Sequence, residues 1–212
     1  MNFDYLTAAR YFKMYRWFIE KNHDIVSFEE SISPNQISSK LWLVNELKKV
    51  NDNDQKINID IVGSWYGWPL VDMLVNTFNV DKIRLYDLDI QACRIANRYA
   101  ELFECTDTIK TFPMNYWDDV NSNSKADIII NCSSEHMRET FSMFKERYPL
   151  QPIFAIQSNN MTEVEDHINC CESIEELIVK NGIKNVLYSG ELNFNYIGSK
   201  GIYKRFMVIG SF

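Results

Sequence analysis

The sequence predicts an α/β fold: a seven-stranded, mostly parallel sheet with an antiparallel terminal hairpin, helices on both faces, and an N-terminal helical extension. Three observations carry this. From residue 57 onward, short β-rich runs alternate with amphipathic stretches at helical spacing, the pattern of parallel strands joined by helical crossovers. The last two runs, VLYSGELNF and IYKRFMVIG, are separated only by NYIGSKG. A parallel crossover needs a dozen or more residues, so these two must be antiparallel neighbours. Finally, 212 residues with 46% hydrophobic and 14% aromatic content suffice for one domain with a full core.

The elements follow in order. Residues 3–21 place Leu6, Ala9, Tyr11, Met14, Trp17 and Phe18 at helical spacing. Ser33 followed by Pro34 opens a second helix with Trp42, Leu43 and Leu47 on its buried side. NDNDQK at 51–56 is a polar loop. Strands are expected at 57–62, 82–89, 108–114, 126–134, 152–160, 186–194 and 202–210. Helices are expected over PLVDMLVNTF, IQACRIANRYAELF, EHMRETFSMFKERY and SIEELIVKNGI, the last ended by Gly182 as a C-cap. This divides the chain into a helical cap, 1–50, and a sheet domain, 51–212.

Composition excludes several classes. The formal charge of −7 disfavours a duplex nucleic-acid surface, which needs clustered Lys and Arg. Arg10, Lys13, Arg16 and Lys21, with Lys200, Lys204 and Arg205, are the basic candidates, and solvated faces explain both groups. No apolar run approaches the roughly 20 residues of a membrane span. The N-terminus is broken by charges and does not read as a secretory signal, so a cytoplasmic location is expected. Five scattered cysteines, without a C-x-x-C pair, read as reduced thiols, and no metal site is expected.

The stretch DIVGSWYGWPL, Asp60 to Leu70, puts Gly63 and Gly67 at the end of the first strand. Trp65 stands between them, where a nucleotide loop usually has another glycine. Asp87 ends KIRLYD about 20 residues further on, the spacing a βαβ unit creates. Asp89 reads as the cap of the next helix.

With these motifs and the terminal hairpin, residues 57–212 resemble the class I, Rossmann-like methyltransferases that use S-adenosylmethionine (SAM). Within that superfamily the likeness is to uncharacterised phage-type members. The resemblance implies that Gly63, Ser64, Trp65, Tyr66 and Gly67 form the donor loop. The family's acid two residues before the first glycine is absent: Ile61 stands there and Asp60 lies one further off. Asp87, with Leu88 beside it, takes the position whose carboxylate accepts from both ribose hydroxyls. In FPMNYWDD, Asn115 would contact the adenine amine and Met114 or Tyr116 would stack on the ring. The same stretch also reads as a surface turn with Trp117 packed inward. Asn131 ends the fourth strand, where donor and acceptor meet in the family.

Around it the sequence is dense in polar chemistry. His136 is a candidate general base and Glu135 a partner that orients it or pairs with a cationic substrate amine. Ser133 or Ser134 would also cap the following helix. Ser133, Gln157 and Asn159 are candidate substrate contacts at carboxyl strand ends. His167, with Asp166 and Asn169, reads as a surface or core histidine whose segment reaches the same mouth. Cys132 reads as a core thiol more than a nucleophile.

The expected activity is therefore methyl transfer from SAM to N or O of a small molecule or side chain. Two alternatives stand beside it: an enzyme that cleaves SAM itself, and a Rossmann-like binding protein without catalysis. An NAD-linked dehydrogenase fits the terminal hairpin less well. The aromatic N-terminus, Tyr5, Tyr11, Tyr15 and Trp17, offers a homodimer surface.

Overall fold

The computed structural model describes residues 5–119, 125–148, 151–195 and 201–212. Three helices come first: α1 (Tyr5–Glu20), α2 (Ile25–Ser31) and α3 (Pro34–Val50). Helix α2 was not expected. It starts because the Asp24 carboxylate accepts from the Val26 N–H at 2.9 Å. Ser33 caps α3 in the same way, with Pro34 in its first turn.

The sheet contains β1 (Ile57–Val62), β2 (Val80–Asp87), β3 (Ile109–Pro113), β4 (Ile128–Asn131), β5 (Ile153–Asn159), β6 (Asn185–Asn195) and β7 (Ile202–Ser211), in the spatial order β3-β2-β1-β4-β5-β7-β6. Strands β1 to β5 are parallel, and β7 runs antiparallel to both β5 and β6. The expected sheet is thus present. The 196–200 part of its connecting turn lies outside the described residues. Helices α4 (Leu70–Thr77), α5 (Ile90–Leu102), α6 (Tyr116–Asp119) and α7 (Ile174–Asn181) complete the fold. Gly182 follows α7 at φ 69°, the left-handed cap its sequence position suggests. No described helix is long and apolar enough to cross a membrane.

Strand alternation sorts the core into two layers. On one face Ile59, Ile61, Ile83, Leu85, Ile128 and Ile130 pack with Leu43, Val44 and Leu47 of α3 and Leu70 and Leu74 of α4. The sheet's core therefore includes the third N-terminal helix. On the other face Val62, Tyr86, Ile129, Phe154 and Phe206 pack with Trp117, Phe141 and Leu177. A third, aromatic cluster ties Met14, Phe18 and Phe28 to Tyr66, Trp68 and Tyr99.

One expectation is corrected. The helix expected over 135–148 is instead two short 3₁₀ turns, Ser134–His136 and Phe141–Arg147. Between them Met137 (φ −114°, ψ 134°) and Thr140 (φ −124°, ψ 159°) are extended. Tertiary anchors override helical propensity here: Phe141 is fully buried, and Phe144 stacks on Trp117 at 4.9 Å. In the aromatic N-terminus, Tyr11, Tyr15 and Trp17 are half-buried with partners inside the chain. Tyr11 donates to Asp72 at 2.7 Å, Tyr15 packs on Phe28, and Trp17 on Phe18 and His23. The Tyr5 side chain lies outside the described residues.

Candidate active site

The chain leaves β1 for β2 and β3 on one side, then returns to β4 and β5 on the other. The carboxyl ends of β1 and β4 therefore flank a crevice, the place where open α/β sheets bind ligands. A cavity of about 770 Å³ lies there, within the size range of small-molecule sites.

The glycine loop forms one wall. Gly63, Trp65 and Gly67 all have positive φ, at 63°, 49° and 82°. Alternate residues thus take the left-handed conformation, and the middle one is a tryptophan. A Cβ on Gly63 would lie 2.4 Å from Met137 Cε, and one on Gly67 2.9 Å from Leu85 Cδ1. Both positions disfavour a side chain by conformation, and Met137 or Leu85 would have to shift to admit one. Trp65 holds its conformation through two contacts. Its N–H donates to Asp87 Oδ2 at 2.7 Å, and its ring stacks on Tyr66 with centroids 4.7 Å apart.

Asp87 ends β2 opposite this loop. Its Oδ1 accepts from the Asp89 N–H at 2.9 Å. Burial pushes its carboxyl above the usual range, while the backbone N–H groups pull it back. Asp89 caps α5 through Gln91 N–H at 2.7 Å, as its position suggests. Leu88 is 72% exposed on the same wall. Asn115 also lines the cavity, and its Oδ1 accepts from the Trp117 N–H at 3.1 Å, starting α6. Tyr116 reaches the wall but is mostly core: it is 3% exposed and its hydroxyl donates to Asp60 at 3.5 Å. Asp60 is fully buried and pairs with Arg84 Nε of β2 at 2.5 Å.

Opposite, Ser133 and His136 line the cavity after β4. Ser133 Oγ donates to the Gly63 carbonyl at 3.3 Å, and Ser134 Oγ to the Gln157 carbonyl at 2.7 Å. Neither serine hydroxyl caps a helix, which corrects that expectation. His136 Nδ1 lies 3.1 Å from Asp166 Oδ2, so the carboxylate beside this ring nitrogen is that of Asp166. The His167 ring stands edge-on to it, with centroids 4.5 Å apart. Burial holds His167 below the usual imidazole range. Glu135 points away from solvent, at 2% exposure. Its Oε1 accepts from Asn159 Nδ2 at 2.6 Å and lies 3.6 Å from Arg205 Nη2. The cation beside it is internal, where a substrate amine had been considered.

Several expected residues stand off the main cavity. Ser64, Gly67 and Glu135 border a smaller adjoining space of about 100 Å³. Tyr66 is packed among the N-terminal aromatics. Asn131 is 2% exposed, its Oδ1 accepting from the Ser133 N–H at 2.9 Å and its Nδ2 directed to Met137 Sδ. Gln157 and Asn159 are fully buried, Gln157 Nε2 donating to the Ser39 carbonyl at 2.9 Å. Cys132 is buried with its thiol pushed up, the environment of an inert core cysteine. Met137 and, from the N-terminal helices, Glu30 and Gln36 also border the cavity, and no motif marked them. The basic candidates are partly neutralised: Arg16 pairs with Glu20, Lys204 with Glu191 and Arg205 with Glu135.

No protein-family model and no curated protein matches the chain. Solved structures do. The O-methyltransferase from Bacillus cereus in complex with S-adenosylhomocysteine (SAH) superposes with a TM-score of 0.62 at 15% identity, over 95% of this chain and 90% of that one. Geranyl diphosphate C-methyltransferase from Streptomyces coelicolor A3(2), in complex with Mg2+, geranyl-S-thiolodiphosphate and SAH, gives 0.64 at 11%, over 83% and 76%. A geranyl diphosphate methyltransferase in complex with SAM gives 0.63 at 11%, over 82% and 85%. The fold is the Rossmann-like fold of class I SAM-dependent methyltransferases.

Proposed function

We propose that this chain is a SAM-dependent methyltransferase that acts on N or O of a small molecule or a compact side chain. The observation that carries the reading is the pairing of the left-handed loop, Gly63 to Gly67, with the Asp87 carboxylate at the end of β2, both beside the crevice at the β1/β4 switch point. The residues present fit an adenosyl donor. Gly63 lines the cavity without a side chain of its own, so a ligand can approach the backbone there. A carboxylate offers about four acceptor positions, and the loop N–H groups leave Asp87 capacity for a ribose diol. Asn115 and Leu88 stand on the same wall, within reach of an adenine ring. The neighbours crystallised with SAM or SAH share this fold, which supports the same choice of cofactor.

When bound, SAM supplies an electrophilic methyl group. The chain's own part is to hold the two reactants and receive a proton. Ser133 and His136 stand on the wall opposite the loop, and the acceptor's proton leaves on that side. The acidic chain and the paired arginines favour a small acceptor over duplex nucleic acid. The likeness to phage-type members rests on the sequence motifs alone.

Calorimetric titration with SAM and with SAH tests this. Both are expected to bind, and Asp87→Ala to abolish binding. Absence of binding by the parent protein would overturn the reading. Mass spectrometry of the products separates transfer, which yields SAH, from cleavage, which yields methylthioadenosine.

A further inference from the structure

The chain has three histidines. Two of them, His136 and His167, converge on the buried Glu135, although one follows β4 and the other follows β5. One donor atom from each of the three residues lies within 4.8 Å of the others. The geometry points to a binding site for a divalent first-row transition-metal ion, made by Glu135, His136 and His167 at the acceptor side of the cavity.

The hydrogen bonds around the three residues suit ligation. A metal-binding imidazole commonly donates its second N–H to a carboxylate or a backbone carbonyl, which fixes the tautomer. His136 directs Nδ1 at the Asp166 carboxylate, 3.1 Å away. His167 directs Nδ1 at the Met161 carbonyl, also 3.1 Å away. In both rings that arrangement reserves the Nε2 lone pair for an ion. Glu135 is divided likewise. Its Oε1 is held by Asn159 and Arg205, while its Oε2 is buried without a hydrogen-bond partner. A buried carboxylate oxygen with no donor is costly unless something positive meets it.

The supporting backbone is braced. The Asn169 N–H donates to the Glu135 carbonyl at 2.9 Å, and the Cys171 N–H to the Asn159 carbonyl at 2.9 Å. These bonds tie the segment carrying His167 to Glu135 and to the end of β5. Ligands about 2.0–2.1 Å from a tetrahedral ion are roughly 3.3 Å apart. The remaining closure falls within the reach of side-chain torsions, chiefly those of His136, whose ring is 39% exposed.

Two imidazoles and one carboxylate select Zn2+, Mn2+ or Fe2+ over Mg2+, which prefers oxygen ligands. Three protein ligands leave coordination positions open to an outside oxygen. Resting on the methyltransferase reading, the acceptor would be an oxygen-bearing molecule, a hydroxyl compound in particular, that fills such a position. Its hydroxyl would ionise more readily there, the proton passing to solvent at the exposed Asp166 side of the site.

The test uses the full chain, stripped with a chelator, and Co2+ and Zn2+ as probes. One ion per chain is expected, with Co2+ giving visible absorption bands and Mg2+ failing to compete at equal concentration. His136→Ala and His167→Ala should each weaken binding by more than about 100-fold, and Asp166→Asn by about tenfold. His23→Ala, at a histidine packed on Trp17, should change nothing. No stoichiometric uptake by the parent protein, or uptake indifferent to both alanine substitutions, would overturn the site. His136 is exposed, so its variant tests ligation even if His167→Ala unfolds. SAM titration of the same samples reads separately: metal without SAM binding sinks only the methyltransferase reading, and SAM without metal binding sinks only the site.

Discussion

Trp65 and Asp87 are joined by a 2.7 Å hydrogen bond from backbone N–H to carboxylate, which ties the loop after β1 to the end of the neighbouring β2. The bond explains how a tryptophan occupies a place in the loop suited to glycine. Its backbone takes the left-handed turn at φ 49°, and its ring finds a partner in Tyr66. The loop keeps its shape, and the Asp87 carboxylate is oriented by the loop itself.

The cost of that turn is measurable. Trp65→Ala and Trp65→Gly both remove the ring, so the difference between them reports the backbone. The left-handed region costs a residue with a Cβ about 1–2 kcal/mol. The greater freedom of glycine in the unfolded chain offsets roughly 0.5–1 kcal/mol. The glycine variant should therefore be the more stable by about 0.5–1 kcal/mol, read from urea unfolding midpoints. A glycine variant equal to or weaker than the alanine one would show that residue 65 is not held left-handed.

Asp87 gives a pH signature. Its carboxyl is raised, first by burial. The ionised form accepts from both hydroxyls of a diol more strongly than the neutral acid, so SAM affinity should fall as pH drops through that raised value, before ordinary surface aspartates titrate. Folding has the opposite sign. The folded state holds the proton more tightly, so this group's contribution to stability grows as pH falls through the raised pKa and is lost as pH rises above it. Calorimetry from about pH 4 to about pH 8 checks the binding limb. A flat affinity profile would remove Asp87 from the donor site.

The legible parts were those written in local pattern. The Ile-rich runs of β1 and β4, the Ser33–Pro34 start of α3 and the Gly182 cap each depend on a few neighbouring residues. The short interval between the last two runs was enough for their antiparallel pairing. What the sequence concealed depends on partners far along the chain. Asp60 looks like a misplaced motif acid, yet the strand register sets it beside Arg84. Glu135 meets Arg205 because β5 pairs with β7 and puts Asn159 opposite Arg205. The stretch after β4 has helical composition, but its direction is set by Phe141 and Phe144 packing on the second layer. The candidate site was legible as a set of strand ends, and not as which side chains face the cavity.

Gln157 illustrates that limit. It ends a strand where substrate contacts are common, but it is fully buried and its amide joins β5 to the Ser39 carbonyl of α3 at 2.9 Å. Gln157→Ala removes a buried hydrogen bond between β5 and α3 and leaves a void, which should cost about 2 kcal/mol of stability. SAM affinity measured below the transition temperature should be unchanged. A variant with parent-like stability and weakened ligand binding would return Gln157 to the site.

Glu135 and His136 are adjacent in the chain but sit in opposite surroundings, and their alanine variants should separate. Glu135 is 2% exposed and faces Arg205, itself 8% exposed. Removing one partner of a buried pair strands the other's charge, at about 3–5 kcal/mol. Asn159 loses its acceptor as well. Glu135→Ala should therefore lower the melting temperature by many degrees. His136 has a partly exposed ring, and its partner Asp166 is well solvated, with a side chain 72% exposed. His136→Ala should stay within about 0.5 kcal/mol of the parent, while turnover falls once an acceptor is identified. Thermal unfolding of the two variants side by side decides the matter. Equal destabilisation would mean that Glu135 is not the buried anchor of this corner, and would weaken the site built on it.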